Sequence, residues 1–465
     1  MAKLYVFGIG GTGARVLRSF TMLMASGVNI GSDEIVPIII DPDASNADLT
    51  RTVALMNNYR AIHSELNFTK KNESQFFRKE LSQILVNYTL RINDTDDKTF
   101  QQFIDLPSME KSSQAMMRML FSEKNLASSM DVGFKGNPNI GSIVLNQIVD
   151  SDDFQDFANN FESGDKIFII SSIFGGTGAS GFPLLLKTLR KGTSFPNYDL
   201  INKAEIGAIT ILPYFKLKND DESEIDSSTF ISKTKSALAY YENNISKNGS
   251  IDALYFLADN ITNTYENHEG GSAQQNDAHL IEFLAATAIV DFSNKPHQNT
   301  ANKELGIKDV TGGSITFDSF YDKQKKMLFA PLTEFMMMAN CLTYKMNYYS
   351  SKDFNANNDN YDGLYNSSFM TELQSMAILY IEWLEEMKRN KRSLDLFNLN
   401  SKDKPFEVVT GCKPKWIASI KSDYDLVTDR LNTAVKKCQS KEDNDKFLEM
   451  FYIAMSRLFN EKFNS

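Results

Sequence analysis

The chain is poor in cysteine and histidine and has no long apolar run. Cys341, Cys412 and Cys438 are its three cysteines, and they share no metal-ligand spacing. That excludes a disulfide framework and argues against an oxidising compartment. With only His63, His268, His279 and His297, a histidine-rich metal site is not expected. No stretch reaches the roughly 18 apolar residues of a membrane span. Glycine interrupts the opening MAKLYVFGIGGTG too early for a secretory leader, so the expected location is cytoplasmic. Positive charge is in the minority, with Lys+Arg 49 against Asp+Glu 59 and a net charge of -10. A broad, non-specific nucleic-acid surface is therefore not expected. The Gly-Lys-Ser/Thr ending of a P-loop is also missing. What remains is ordinary globular composition, 42% hydrophobic and 23% charged, over 465 residues. That is enough for two or three domains, or one large nucleotide-type domain with additions.

The N-terminal part reads as α/β. Residues 3–7 predict a buried strand, Gly8-Ile9-Gly10-Gly11-Thr12-Gly13 a turn, 14–25 a helix and 35–40 a second buried strand ending at Asp41-Pro42-Asp43. Residues 50–130 read as a helical insertion with polar breaks. A loop at 133–141 and a helical stretch at 142–160 follow. Further strands are expected at 166–171, 205–212 and 252–258, with helices at 182–190 and 229–244. Residues 262–275 read as a polar loop. The apolar run 276–292 predicts a long helix buried on most sides. Beyond it, 294–313 is loop-like, 314–320 reads as a strand, and 327–347, 371–388, 421–437 and 443–462 read as helices.

Two glycine loops carry the chemistry. Gly8-x-Gly10-x-x-Gly13 follows a strand and opens a helix, the context a phosphate-binding turn needs. Glycines admit an anion to the backbone, and the free N–H groups of the helix start point at it. Alone the pattern also fits a tight turn without a ligand. The second loop, Gly175-Gly176-Thr177-Gly178, again sits between a buried strand and a helix. Two such loops at the carboxyl edge of one sheet can hold two parts of one polyphosphate. Without a P-loop lysine, part of the charge compensation falls to Mg²⁺.

At this point the chain resembles the tubulin/FtsZ superfamily, and more closely its divergent bacterial tubulin-like branch. GIGGTGARVLRSF (8–20) is similar to that family's first glycine loop and helix, and IIIDPDA (38–44) to the next strand and its acidic loop. GFKGNPNIG (133–141) resembles the γ-phosphate-sensing loop. IFIISSIFGGTGASG (167–181) resembles the signature glycine loop, with Phe174 in place of its first glycine. AITILPYF (208–215), DALYFLADN (252–260) and QNDAHLIEFLAATAIVDF (275–292) follow in the family's order. The match covers about residues 3–292.

The resemblance implies an α/β fold with a tubulin/FtsZ-like nucleotide-binding domain: parallel sheet, helical insertion, central helix and a mostly helical C-terminal domain. It divides the chain into 1–275, 276–293 and 294–465. GTP/GDP and Mg²⁺ are the implied cofactors. Gly8, Gly10, Gly11 and Gly13 would wrap the α/β-phosphates. Gly175, Gly176, Thr177 and Gly178 would cradle the β/γ-phosphates, with Gly136 and Asn137 approaching the γ-phosphate. Asp43 would hold a Mg²⁺-bound water, or else act as an ordinary loop acid capping a helix. Asn276 would meet the purine edge and can also be the N-cap of the long helix. Asp259 or Asn260 would read the base from the other side, and Glu224 or Asp226 would touch the ribose. His279 and Glu282 read as structural or supporting residues. Amide and carboxylate contacts suit guanine or adenine; guanine follows from the resemblance.

The implied partner is a second copy, head to tail, which supplies acids that polarise the attacking water. The family's Asn-x-Asp-x-x-Asp pattern is not found. The nearest candidates for the catalytic acids are Asp318 and Asp322 in Thr316-Phe317-Asp318-Ser319-Phe320-Tyr321-Asp322, with Asp309 as a substitute. The expected function is therefore an assembling GTPase. A non-hydrolysing nucleotide-binding scaffold is the second reading. An NAD-dependent oxidoreductase is the third, since Asp41 ends the second strand where a ribose-binding acid would stand.

Overall fold

Short continuous apolar runs in this sequence become strands buried on both faces, which is the pattern of a covered parallel sheet. The structure is a computed structural model. It describes residues 2–43, 45–69, 71–130, 133–134, 136–217, 230–260, 263–265, 271, 275–294, 301–304, 307–308, 313–349, 362–415 and 422–463. The strands are β1 (Lys3–Ile9), β2 (Glu34–Ile40), β3 (Glu80–Leu81), β4 (Lys166–Ser172), β5 (Glu205–Ile211), β6 (Phe215–Leu217), β7 (Ala253–Leu257), β8 (Asn263–Tyr265) and β9 (Ala301–Glu304). Seven of them form one sheet in the order β3-β2-β1-β4-β5-β7-β9, and every pairing in it is parallel.

The longer helices are α1 (Gly10–Ala25), α2 (Ala47–Ser64), α3 (Lys111–Leu120), α4 (Pro138–Val144), α5 (Asp152–Asn160), α6 (Gly176–Lys191), α7 (Phe230–Tyr241), α8 (Leu280–Ser293), α9 (Asp322–Tyr344), α10 (Ser368–Arg389), α11 (Asp423–Ala434) and α12 (Asp443–Lys462). Alternation along β1 sets the two layers. The Tyr5 and Phe7 rings meet Phe157 of α5 edge-on at 5.1 Å, while Gly8 faces Gly13 and Leu17 of α1. Helix α1 touches α2 and α8, and α8 lies on β4, β5 and β7. That places the central helix where it is covered on most sides, as its composition predicts; of its residues only Asp291 is not buried. The C-terminal helices pack α9 on α10 and α12, α11 on α12, and α10 back onto α2. This is the α/β layout, with central helix and mostly helical C-terminal part, that the resemblance implies.

Several expectations need correction. Residues 50–130 are less helical than their pattern suggests: past α2 and before α3 the chain makes only short turns and the edge strand β3. A two-residue edge strand carries no period to detect. The run 294–313 contains β9, which extends the sheet beyond β7, and 262–275 contains β8, which pairs with β6. Residues 314–320 are not a strand. Ile315 makes a single bridge to Leu394, and Phe317–Ser319 is a 3₁₀ turn. The long helix starts at Leu280 rather than 276, for a reason given below.

Candidate functional site

The sheet order reverses at β1. The chain goes from β1 to β2 on one side, then returns to β4 on the other. A crevice forms at such a switch point, at the carboxyl ends of the strands. Both glycine loops leave from the two strands that flank it. Gly10 has φ +72, a conformation that favours glycine. A Cβ there would stand 3.5 Å from the Thr177 Cβ and 3.8 Å from the Gly178 nitrogen, so the two loops touch across the crevice. Gly8 and Gly13 meet each other: a Cβ on Gly13 would lie 2.4 Å from the Gly8 carbonyl carbon. Their bareness lets strand and helix approach closely.

The starts of α1 and α6 share an electrostatic character. Neither has a side-chain N-cap, and neither has an acid in its first turn. Their first N–H groups are the unsatisfied donors of a helix terminus, reinforced by the helix dipole. Gly11 is half-buried beside them. Thr12 and Thr177 are buried, and among the described residues neither hydroxyl has a hydrogen-bond partner. At Gly178, a Cβ would strike the Ser172 backbone at 2.7 Å. Gly175 caps α6 only through its extended backbone.

The 133–141 loop closes the same crevice from a third side. A Cβ on Gly176 would meet the Phe134 Cβ at 3.0 Å and the Gly136 and Asn137 nitrogens at 3.1 Å. Gly136 has φ +73. Asn137 Oδ1 accepts from the Asn139 and Ile140 N–H groups and so caps α4; its Nδ2 is the donor left for a ligand. Lys233 of α7 donates from Nζ to the Gly136 carbonyl at 2.9 Å. Sequence reasoning passed over this lysine, which stands far from the loop in sequence.

Asp41 and Asp43 flank the crevice at the end of β2. Asp43 is buried, and its Oδ1 accepts from the Ser45 N–H and hydroxyl while Oδ2 accepts from the Gly271 N–H at 2.7 Å. It does not cap α2; Asn46 does, through Oδ1. Burial, with the Asp43 charge beside it, pushes the Asp41 carboxyl up to about 7 despite the hydrogen bond from the Asp43 N–H. Among the described residues no group of three acids, histidines or cysteines is placed to hold a metal.

Farther along α1 from the glycine loop, a second polar region is built from side chains. Arg15 of α1 pairs with Asp48 at 3.0 Å and with Glu282 at 2.6 Å, and donates to the Tyr214 hydroxyl. Arg18 pairs with Glu386 of α10 at 2.6 Å, and Arg51 bridges Asp48 and Glu386 at 3.0 Å each. Three arginines thus meet three carboxylates. Burial opposes ionisation of Asp48, but Arg15, the Asn276 hydrogen bonds and Arg51 outweigh it and hold the carboxyl below its ordinary value. Asn276 donates its backbone N–H to Asp48 Oδ1 and Nδ2 to Asp48 Oδ2, and its carbonyl accepts from Arg51. Among the described residues its Oδ1 has no hydrogen-bond partner.

This network explains why α8 begins late. With Asn276 drawn to Asp48, the N-cap is His279, whose Nδ1 accepts from the Ile281 N–H while Glu282 accepts from the His279 N–H. Asn276 is therefore not the helix cap. Burial, then the charges of Arg15 and Arg392, push the His279 pKa down to about 3. A neutral capping histidine bears out its structural reading. Asp259 accepts from Arg392 at 3.0 Å, and the Asn260 side chain is exposed. Arg15 and Arg18 carried a signal in the sequence: two cations inside an otherwise apolar helix.

Asp318 and Asp322 lie elsewhere. They line a cavity of about 600 Å³ between the start of α9, residues 409–413 and the end of α12, and no glycine-loop residue lines it. Asp318 is exposed and pairs with Lys325 at 2.6 Å. Asp322 sits in the first turn of α9. Glu224, Asp226 and Asp309 lie outside the described residues.

No family model and no curated protein matches the chain. Among solved structures it is similar to CetZ2 from Haloferax volcanii in a GTPγS-bound protofilament, with 12% identity over 56% of this chain and 49% of that one and a TM-score of 0.28. It is also similar to the GDP-bound monomer of CetZ1 from Haloferax volcanii (14%, 55% and 51%, TM-score 0.29). A third is CetZ from Methanosaeta thermophila (16%, 56% and 46%, TM-score 0.28). The match spans about half the length of these structures. All three are archaeal and lend nothing to a bacterial branch. Superpositions this loose assign no residue of this chain, so the site stands on its own geometry.

Proposed function

We propose that this chain is a tubulin-like guanine-nucleotide-binding protein that assembles head to tail, with hydrolysis completed by the next copy. The observation that carries the reading is the pair of uncapped, acid-free helix starts that touch across the switch point. A polyphosphate supplies what those N–H groups lack. Gly10, Gly11, Gly176 and Thr177 would hold it, with Gly136 and the Asn137 amide on the terminal phosphate. Mg²⁺ would fit beside Asp43 and Asp41: two buried carboxylates with no ion pair among the described residues, one already pushed up to about 7, are what a divalent ion would relieve. Few protein ligands plus phosphate oxygens is a usual Mg²⁺ arrangement; bound there, the ion would neutralise charge on the phosphates. Asn276 would offer Oδ1 to the base, and Asp259 or Asn260 would read it from the other side. Residues 1–275 then form the nucleotide domain, 276–293 the central helix and 294–465 the assembly part.

Asp318 and Asp322 would act on the neighbour's nucleotide. The Lys325 pair at Asp318 favours a second reading, a non-hydrolysing scaffold, because a neutralised carboxylate polarises water poorly. Phosphate release from GTP across protein concentrations, with light scattering recorded together and ATP as control, separates them. More-than-linear turnover with scattering supports the first reading; nucleotide binding with a flat background rate leaves the scaffold.

A further inference from the structure

The segment that leads into α8 is held by side chains from other elements. Residues 275–279 are neither helix nor strand, so their backbone groups need partners elsewhere. At Asn276 those partners are Asp48 and Arg51 of α2. At Ala278 they come from the end of α10: the N–H donates to Glu386 Oε2 at 2.8 Å, and the carbonyl accepts from Asn390 Nδ2. Asp277 between them pairs with Arg389 at 3.0 Å. Glu386, Arg389 and Asn390 stand at i, i+3 and i+4, so they share one face at the end of the helix. Glu386 is buried and is itself fixed by Arg18 and Arg51. Two residues past Asn390, Arg392 pairs with Asp259 at 3.0 Å. Asp259 Oδ1 in turn accepts from the Asn260 N–H at 2.8 Å. One short stretch, 386–392, therefore holds both 277–278 and 259–260.

We infer that the end of α10 is a positioning clamp for base recognition: Glu386, Asn390 and Arg392, all from the C-terminal part, fix where 276–278 and 259–260 stand and so set how well a purine is selected. The inference rests on the nucleotide reading above, because Asn276 and Asp259 or Asn260 meet a base only there. A polar group selects a base edge only when it is held at hydrogen-bond distance in a fixed direction. Asn276 is held in that way. Its Nδ2 donates to Asp48 Oδ2 at 2.9 Å, so the amide has one orientation and presents the acceptor Oδ1. A neighbouring segment free to shift would carry that acceptor out of reach. The clamp residues act through 278 and 259 and need not touch the ligand. The Arg389–Asp277 pair is largely exposed and adds little, whereas the Arg392–Asp259 pair is mostly shielded from water. The clamp's contacts are to the base-side segments and not to the glycine loops, so it bears on the base and not on the polyphosphate.

The test is a calorimetric titration of the full chain with GTP and with inorganic tripolyphosphate, Mg²⁺ present in both. The readout is the ratio of the two affinities, which isolates the base. Wild type is expected to hold GTP about a hundredfold tighter than tripolyphosphate. Arg392→Ala and Asn390→Leu each cut that ratio about tenfold and leave tripolyphosphate binding unchanged, and Arg392→Lys recovers part of the loss. Circular dichroism checks the fold of each variant. Asn390→Leu leaves no charge unpaired, so it carries the test if Arg392→Ala does not fold. A merely structural role would weaken both ligands together and leave the ratio where it was. Wild type without a preference for GTP removes the nucleotide reading, and the clamp with it. Wild type that prefers GTP, beside folded variants with the same ratio, overturns the clamp alone.

Discussion

Two polar regions along α1, the glycine-loop end and the Asn276 end, are built on opposite principles. The glycine-loop end is backbone: uncapped helix starts, bare glycines and two hydroxyls without partners among the described residues. The Asn276 end is side chain: three arginines against three carboxylates, most of them buried. One end leaves helix-start donors without side-chain partners, which is what the proposed ligand would complete. The other is complete within the chain and fixes geometry, tying α1, α2, the start of α8 and α10 into one unit. A site that binds a polyanion can leave donors open at one end only if something else holds its frame.

The largest effect follows from breaking the complete end. Asp48→Ala removes one carboxylate partner from each of Arg15 and Arg51 and both acceptors of Asn276, and is expected to cost about 3 kcal/mol in urea unfolding. A loss under 1 kcal/mol would mean the network is not structural.

Next is pH. Burial lifts Glu334 from 4.5 to about 7 and Asp41 from 3.8 to about 7. A carboxyl whose folded pKa is raised stabilises the fold when protonated. Each of these two groups should therefore subtract stability as pH rises from about 4.5 to about 7, with a slope of about 1.4 kcal/mol per unit, while His279, held down at about 3, contributes a slope of opposite sign up to its ordinary value of 6.5. Glu334→Gln should remove one share of that slope. If Mg²⁺ sits at Asp41, its affinity drops below about pH 7 because the proton competes.

Smaller is the loss at the open end. Gly176→Ala pushes on Phe134 and the 136–137 backbone and should weaken nucleotide binding about tenfold while leaving the fold intact. Smallest is Asp318→Asn, an exposed pair: stability should stay within about 0.5 kcal/mol and nucleotide affinity should not move. Only concentration-dependent phosphate release should fall; its persistence at full rate removes Asp318 from the chemistry.

The open end was legible in the sequence because glycine spacing after a buried strand is local. Strands β1, β2, β4, β5 and β7, and α12 at Asp443–Lys462, were legible for the same reason: each carries its own apolar pattern. The complete end was not. Asp48, Arg51, Glu282 and Glu386 are distant in sequence, and no local period announces that they meet. Asn276 read as a helix cap because an amide before an apolar run is a capping signal; Asp48, from another helix, outbid that local preference. The edge strands β3 and β9 are short and polar, and only the neighbouring strand defines them.

The central claim is that both glycine loops hold one polyphosphate. Calorimetric titration of wild type, Gly10→Ala and Gly176→Ala with GTP, guanosine and NAD tests it most directly. The account predicts one GTP site, guanosine weaker by at least about a hundredfold, and a weakened GTP site in both variants, since both loops contact the phosphates. Guanosine binding as tightly as GTP, NAD binding in its place, or a variant in either loop with undiminished affinity would contradict it.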